Sequence, residues 1–251
     1  MSGAEQHRAG ARRLLVPAAI LAVAALLIAL VLWMRPVQQS EPAADVVPAG
    51  PAAQPSNLPH PSEVALPDLS TAERRDAEDL LAEGPVQAPV VMVVFTDYQC
   101  PYCARWSHET LPELRDHVER GELRIEWRDV NVYGEDSARA ARASLAAALQ
   151  GRHADYHQAL FAGGEVRPAA ELDEDSLIAL AEELDLDVER FTADLRSEEV
   201  ARTVEEHAAE GVELGAVTTP SFVLDGTPTV GAQPTEVFLE QVEAALEEAE
   251  A

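Results

Sequence analysis

A short apolar run followed at once by two closely spaced cysteines constrains the fold of this chain more than any other feature. Val90 to Phe95 is wholly apolar and follows Ala88-Pro89, a pattern that predicts a strand buried on both faces of a sheet. Cys100 and Cys103 come next, and Pro101 between them suits the first turn of a helix. The sequence therefore predicts a strand that runs into a helix whose first turn carries both cysteines.

This placement predicts thiol chemistry. Unpaired N–H groups and the positive end of the helix dipole stabilise a thiolate at a helix N-terminus, which favours Cys100 as the nucleophile. Cys103 lies one turn further along, close enough to resolve a mixed disulfide formed on Cys100. The chain has only 2 cysteines, so it cannot be a small domain held together by several bridges.

The remaining pattern predicts an α/β domain over residues 70–251. A helix is expected from Pro101 to about Glu119, and the alternation of Leu123–Val130 predicts a half-exposed strand. Residues 137–211 are rich in Ala, Leu, Glu and Arg and predict several helices. A hairpin then closes on Asp225-Gly226, with Pro228 on an edge strand, and a last helix begins near Pro234.

The N-terminal part predicts a membrane anchor and a tether. Leu14–Met34 holds 21 residues without a charge, which span roughly 30 Å as a helix and match a bilayer core. More arginines precede this span than follow it, so residues 1–13 are expected in the cytoplasm and the bulk of the chain outside the cell membrane. Residues 35–69 hold 8 of the 17 prolines and predict a semi-extended linker.

The charge of the chain argues against nucleic acid as a partner. The net charge of −27, from 45 acids against 18 bases, would repel phosphates over most of the surface. An acidic, solvated surface explains the charge without any specific ligand.

Metal sites are alternatives for the cysteine pair. His153 and His157 could complete a zinc site, but they lie about 50 residues downstream instead of the usual 12 to 15, and a solvated helix face is the simpler interpretation for them. Covalent haem would need His directly after Cys103, where Ala104 stands. A purely structural disulfide across so short a loop would stabilise little. We therefore expect no metal and no cofactor other than a redox-active Cys100–Cys103 disulfide.

Three segments in order resemble the DsbA family of thiol-disulfide oxidoreductases. They are the active-site segment Phe95–Cys103, the loop Gly215–Val223 and the turn Val230–Pro234. The resemblance covers about residues 80–251 and implies a thioredoxin-like fold with an inserted helical subdomain at about 135–212. It implies that Pro101 and Tyr102 are the active-site dipeptide, that Pro220 is cis, and that the backbone of Thr219 pairs with substrate beside Cys100.

One position departs from the family pattern. Members commonly carry a buried acid six residues before the first cysteine, where it assists proton transfer at the second, and this chain has Val94 there. Asp97 lies nearer the cysteines, but a structural role at the start of the helix is the expected one.

The expected activity is disulfide exchange with unfolded or exported proteins outside the membrane, with the protein as oxidant and a membrane quinone-linked partner re-oxidising it. A disulfide reductase or isomerase uses the same chemistry and stays open. Two further alternatives are a tethered module that delivers metal through soft thiol ligands and a structural interaction domain that tolerates Cys100→Ser.

Overall fold

The computed structural model describes residues 69–251. The predicted cytoplasmic segment 1–13, the predicted membrane span 14–34 and nearly all of the linker 35–69 lie outside the described residues, so they stay predictions. Within residues 69–251, every helix is too short or too polar to cross a bilayer.

The described part is a mixed α/β fold built on a five-stranded sheet. Its strands are β1 (Ala82–Glu83), β2 (Val90–Thr96), β3 (Leu123–Asp129), β4 (Ser221–Leu224) and β5 (Thr227–Val230). The strand order is β1-β3-β2-β4-β5. β2 and β3 run parallel, whereas the other three pairs are antiparallel. β1 was not predicted, because it pairs through only two residues.

β2 is the centre of the sheet. All seven of its residues are buried, as the apolar run predicts. Val90, Met92 and Val94 face the larger core cluster, which also contains both cysteines, whereas Val91 and Val93 face a smaller cluster on the other side. The strand therefore ends deep in the molecule, and this fixes where the following helix can begin.

Eight α-helices occur in the described residues. They are α1 (Pro101–Glu109), α2 (Leu111–Glu119), α3 (Glu135–Ala148), α4 (His153–Leu160), α5 (Glu174–Glu183), α6 (Val188–Leu195), α7 (Glu198–Glu213) and α8 (Thr235–Ala249). α3 to α7 form the helical block between β3 and β4. Side chains of Asp173, Asp187 and Ser197 accept backbone N–H groups at the starts of α5, α6 and α7.

The prediction of one helix from Pro101 to Glu119 was wrong, because the segment forms two helices. The first ends at Glu109 and the second begins at Leu111, with Thr110 between them. Pro112 has no N–H to donate to the carbonyl of His108, and its ring would clash with that carbonyl in a continuous helix.

The prediction that β3 is half exposed was also wrong. The apolar residues of the alternation face the larger core, but the polar residues between them are buried as well. Glu126 accepts hydrogen bonds from the side chains of Arg124 and Arg128, at 2.8 and 3.3 Å, and from the backbone N–H groups of Arg74 and Arg75. Mutual pairing makes the burial of these charges tolerable.

The C-terminal hairpin has the predicted form. β4 and β5 join through Asp225 and Gly226, both at positive φ, as a type I′ turn requires. β5 lies at the edge of the sheet, where Pro228 leaves no ladder hydrogen bond unmade. The residues just before β4 lie beside the end of β2, because Ser221 pairs with Phe95.

Candidate active site

Cys100 is the N-cap residue of α1. The residue has extended backbone angles, and its Sγ accepts a hydrogen bond from the backbone N–H of Cys103 at 3.3 Å. A sulfur thus takes the place that a Ser or Asp oxygen usually fills at a helix start. Both cysteines are free thiols and both are buried.

Asp97 shapes the turn that delivers Cys100 to this position. Its backbone carbonyl accepts the N–H of Cys100 at 3.0 Å. Its buried carboxylate accepts the N–H of Gln99 at 2.7 Å, the N–H of Tyr133 at 3.0 Å and the hydroxyl of Ser137 at 2.6 Å. Asp97 therefore ties the loop after β3 and the start of α3 to the active-site turn, and it does not cap α1 itself.

The surroundings of Cys100 favour its thiolate. A hydrogen bond from the thiol of Cys103 is the largest cause, and backbone N–H groups of Cys103 and Tyr102 add to it. Together they lower the pKa of Cys100 to about 6, against the opposing effect of burial. The sulfur also lies 3.2 Å from the carbonyl oxygen of Thr219.

Cys103 is in the opposite situation. Burial against the sheet raises the pKa of its thiol well above the ordinary value, and the neighbouring Cys100 raises it further. A hydrogen bond with the side chain of Thr96, at the end of β2, acts in the other direction. Two thiols three residues apart thus differ strongly in acidity, which allows one to leave as a thiolate and keeps the other as a thiol.

The loop before β4 faces the first cysteine. The Thr219–Pro220 peptide bond is cis, as the family resemblance implies. The carbonyl of Thr219 points at the Cys100 sulfur, and a hydrogen bond with the Thr219 side chain also helps to lower the pKa of Cys100. The structure therefore brings together Cys100, Cys103, Thr219 and Pro220.

Apolar side chains are exposed near the cysteines. Tyr102 and Tyr133 are each 55% exposed, and Val217 on the loop before β4 is 64% exposed. The guanidinium of Arg105 lies 5.2 Å from the centre of the Tyr102 ring. Tyr133 also hydrogen-bonds with Cys100, and burial of its hydroxyl followed by the proximity of Cys100 raises its pKa.

Sequence reasoning missed Tyr133 and Thr96. The signal for Thr96 was available, because it directly follows the predicted strand Val90–Phe95 and precedes the cysteines. Tyr133 lies in a loop, so no periodicity marks it. Its position depends on the hydrogen bond from its N–H to Asp97 across 36 residues of sequence.

The interpretation of His153 and His157 as a solvated helix face was wrong. Both are buried in the larger core beside Trp127, with ring centres 5.9 and 4.4 Å from the indole. His157 bridges the hydroxyls of Tyr98 and Ser107, each at 3.1 Å. Burial lowers the pKa of both imidazoles, so they are neutral core residues. Among residues 69–251, no group of three or more potential ligands is placed to hold a metal.

The sheet order, the cis-proline loop and the cysteine pair at a helix start define a thioredoxin-like domain. The sequence model of the family described as "Thioredoxin" matches residues 77–244, more than half of the 251 residues. A crystal structure of α-DsbA1 from Wolbachia pipientis matches with a TM-score of 0.64, over 72% of this chain and 97% of that chain. Its sequence identity is 15%, so it is a likeness of fold.

Sequence relatives give a second comparison. The probable disulfide bond formation protein D of Bacillus cereus is 26% identical over 57% of this chain and 68% of its own length. The chain belongs to the thioredoxin family, and it is similar to thiol-disulfide oxidoreductases of the DsbA type. The Na⁺/H⁺ antiporter NhaA 1 of Salinispora arenicola is 34% identical over 65% of this chain, but the chain spans only 24% of that relative's length. The antiporter activity in its name describes that whole relative.

Proposed function

We propose that this protein is an extracytoplasmic disulfide oxidase that introduces disulfides into exported proteins through Cys100 and Cys103. The observation that carries the proposal is the Cys100 sulfur at the start of α1, where the pKa of its thiol is lowered to about 6 beside a buried second thiol. Cys100 is the residue that substrates attack, and Cys103 is the leaving and resolving thiol.

The reaction moves two electrons from a substrate dithiol to the Cys100–Cys103 disulfide. A substrate thiolate attacks the Cys100 sulfur, the bond between the two cysteines breaks, and Cys103 leaves and takes up a proton. The second substrate thiolate then attacks the substrate sulfur of the mixed disulfide. Cys100 leaves as a thiolate, and the substrate keeps the new disulfide.

The acidity of Cys100 supports the oxidising direction. At pH 7 a thiol of pKa about 6 is largely ionised, whereas an ordinary cysteine of pKa about 8.5 is not. This difference stabilises the reduced protein by about 1.4 kcal/mol, which corresponds to about 30 mV for a two-electron couple. A more stable reduced form makes the disulfide a stronger oxidant.

The exposed surface near the cysteines supports unfolded chains as substrates. Tyr102, Tyr133 and Val217 offer apolar contacts to an extended segment, as an exposed apolar surface at a functional site commonly does. The predicted span Leu14–Met34 supports a location on the outer side of the cell membrane, where thiols tend to be oxidised. A quinone-linked membrane partner would return the pair to the disulfide.

The test is a direct assay of oxidation by the full chain, purified in detergent. The oxidised protein is mixed with a reduced, unfolded substrate protein, and loss of substrate thiols is followed in parallel with the reduction potential in glutathione buffers. We expect substrate oxidation that Cys100→Ser abolishes, and a trapped mixed disulfide with Cys103→Ser. An active protein with a potential as low as that of cytosolic reductants would instead assign it as a reductase. Absence of any exchange would reject the proposal.

A further inference from the structure

Asp129 is a buried acid, and one of its carboxyl oxygens has no hydrogen-bond partner in the described residues. Three acidic residues are buried in the described structure, namely Asp97, Glu126 and Asp129. The first accepts three hydrogen bonds and the second is surrounded by arginines. Asp129 is 2% exposed, and its Oδ1 has no partner in the part of the chain that the structure describes. Burying an unpartnered carboxyl costs stability, so the residue calls for an explanation.

The position of Asp129 relates it to Cys103. Asp129 is the last residue of β3 and is the register partner of Thr96, the last residue of β2. Because side chains alternate along a strand, Asp129 lies on the same face as Trp127, which belongs to the core cluster that contains Cys103. Thr96 hydrogen-bonds with Cys103, and Tyr98 lies within electrostatic range of both Asp129 and Cys103.

We propose that Asp129 is the carboxyl that exchanges a proton with Cys103. Asp129 lies on β3, whereas the buried acid of the family lies on the neighbouring strand β2. That position is Val94 here, and its register partner on β3 is Trp127, two residues before Asp129. This inference rests on the proposed function, since it assigns a residue to one step of disulfide exchange. Asp129 acts on Cys103 across the Thr96 side chain and does not touch the substrate.

The protonation states of the two groups match this role. Burial, reinforced by the nearby charge of Asp97 and opposed by Arg128, raises the pKa of Asp129 to about 8. Asp129 is then mostly a neutral acid at pH 7. When substrate attack breaks the bond between the cysteines, the proton of Asp129 passes to Cys103. In the reverse step Cys103 returns that proton to the carboxylate and attacks the Cys100 sulfur of a mixed disulfide.

The charged and titratable groups nearest to Asp129 come from the loop after β2 and from β3 itself. Asp97 and Tyr98 follow β2, and Arg128 precedes Asp129 on β3, whereas Cys103 on α1 is related to Asp129 through their common neighbour Tyr98. Arg128 points to the opposite face of the sheet, where it contacts Asp79, Glu126 and Glu210. The α3 residues that approach Asp97 and Tyr98 are the uncharged Ser137 and Ser144. No cation of the described residues therefore contacts the Asp129 carboxyl directly.

The experiment isolates the step in which Cys103 loses its proton. The reduced full-length protein reacts with glutathione disulfide, so that the Cys100 thiolate forms a mixed disulfide and one glutathione leaves. Cys103 then attacks the Cys100 sulfur and the second glutathione leaves as a thiolate. Rapid acid quenching and mass spectrometry measure formation and decay of the mixed disulfide as a function of pH, in the wild type, D129N, T96V and the control D194N.

We expect the decay rate of the wild type to rise with pH through a midpoint near 8, the pKa of Asp129. D129N should slow decay of the mixed disulfide by about 10²-fold and abolish this midpoint, because a general base is lost. The rate at which the mixed disulfide forms should not change. T96V should slow decay in the same direction. D194N changes a partly buried aspartate on α6 whose Oδ2 also lacks a hydrogen bond and lies 3.6 Å from Nε of Arg190, and it should match the wild type.

The outcomes separate the two proposals. Failure of the mixed disulfide to form in the wild type would reject the proposed function. If D129N forms the mixed disulfide normally and shows the same decay rate and pH midpoint as the wild type, the role of Asp129 is overturned. The proposed oxidase function would then still stand. Thermal unfolding of each variant reports whether it folds, and if D129N is unfolded, an unchanged decay profile in folded T96V overturns the proposal.

Discussion

Two substitutions of Cys103 test the origin of the acidity of Cys100. The hydrogen bond from the Cys103 thiol is the largest cause that lowers the pKa of Cys100 to about 6. Cys103→Ala removes this donor and keeps the backbone N–H groups, whereas Cys103→Ser keeps a hydroxyl donor at the same place. A hydrogen bond to a charged group contributes about 1.5–3 kcal/mol, which is about one to two pKa units. We therefore expect a pKa for Cys100 of about 7–8 in the alanine variant and a smaller rise in the serine variant.

The measurement is the ultraviolet absorbance of the thiolate during a pH titration. Each variant holds a single cysteine, so the titration reports Cys100 alone. The wild-type comparison is made with the reduced protein, in which the thiol of Cys103 stays protonated at neutral pH because burial raises its pKa. Equal pKa values in the alanine and serine variants, both near that of the wild type, would refute the assignment to Cys103 and leave the backbone N–H groups as the cause.

Three further predictions concern the redox couple and the core. The reduction potential should fall by about 59 mV per pH unit below the pKa of Cys100 and by about 30 mV above it, because one proton fewer accompanies the two electrons; a constant slope in glutathione titrations across that pKa would contradict the low value. Gly211→Ala on α7 should destabilise the protein by about 1–2 kcal/mol in urea unfolding, since its Cβ would overlap a methyl group of Val130. Adding Val130→Ala should cost less than the sum of the two single changes, and strict additivity would show that the contact is not the cause. Glu126→Gln should lower the free energy of unfolding by about 3–5 kcal/mol, because it leaves buried arginines poorly paired. The exposed control Glu205→Gln should leave the free energy of unfolding nearly unchanged. Similar losses of stability in both variants would argue against the buried cluster.

The central part of the fold could be predicted because its signals are local. The apolar run that begins at Val90 predicts a strand buried on both faces, and Cys100-Pro101 predicts the start of the next helix. Asp225-Gly226 likewise allows little except a tight turn between two strands. Each of these features depends on neighbours within a few residues, so the local sequence is enough to predict it.

The errors arise where the cause lies far away in sequence. β3 has the alternation of a half-exposed strand, but its charged face is covered because Glu126 accepts the backbone N–H groups of Arg74 and Arg75, about 50 residues earlier. His157 has the spacing of a solvated helix residue, yet its imidazole is enclosed by Tyr98 and Trp127. Polar residues mark a surface only when no partner reaches them, and partners at long range cannot be identified from spacing.

The two cysteines explain why a buried acid belongs at the end of β3. One helical turn separates them, yet Cys100 receives the N–H groups of the helix start whereas Cys103 faces the sheet. Cys100 can leave a mixed disulfide as a thiolate without a proton, so it needs no acid beside it. Cys103 cannot be released as a stable thiolate in that apolar setting, so a proton must arrive as the disulfide opens. A carboxyl on the sheet face beneath α1 can supply this proton whether it lies on β2 or on β3. Asp129 on β3 can therefore replace an acid at the position of Val94 on β2.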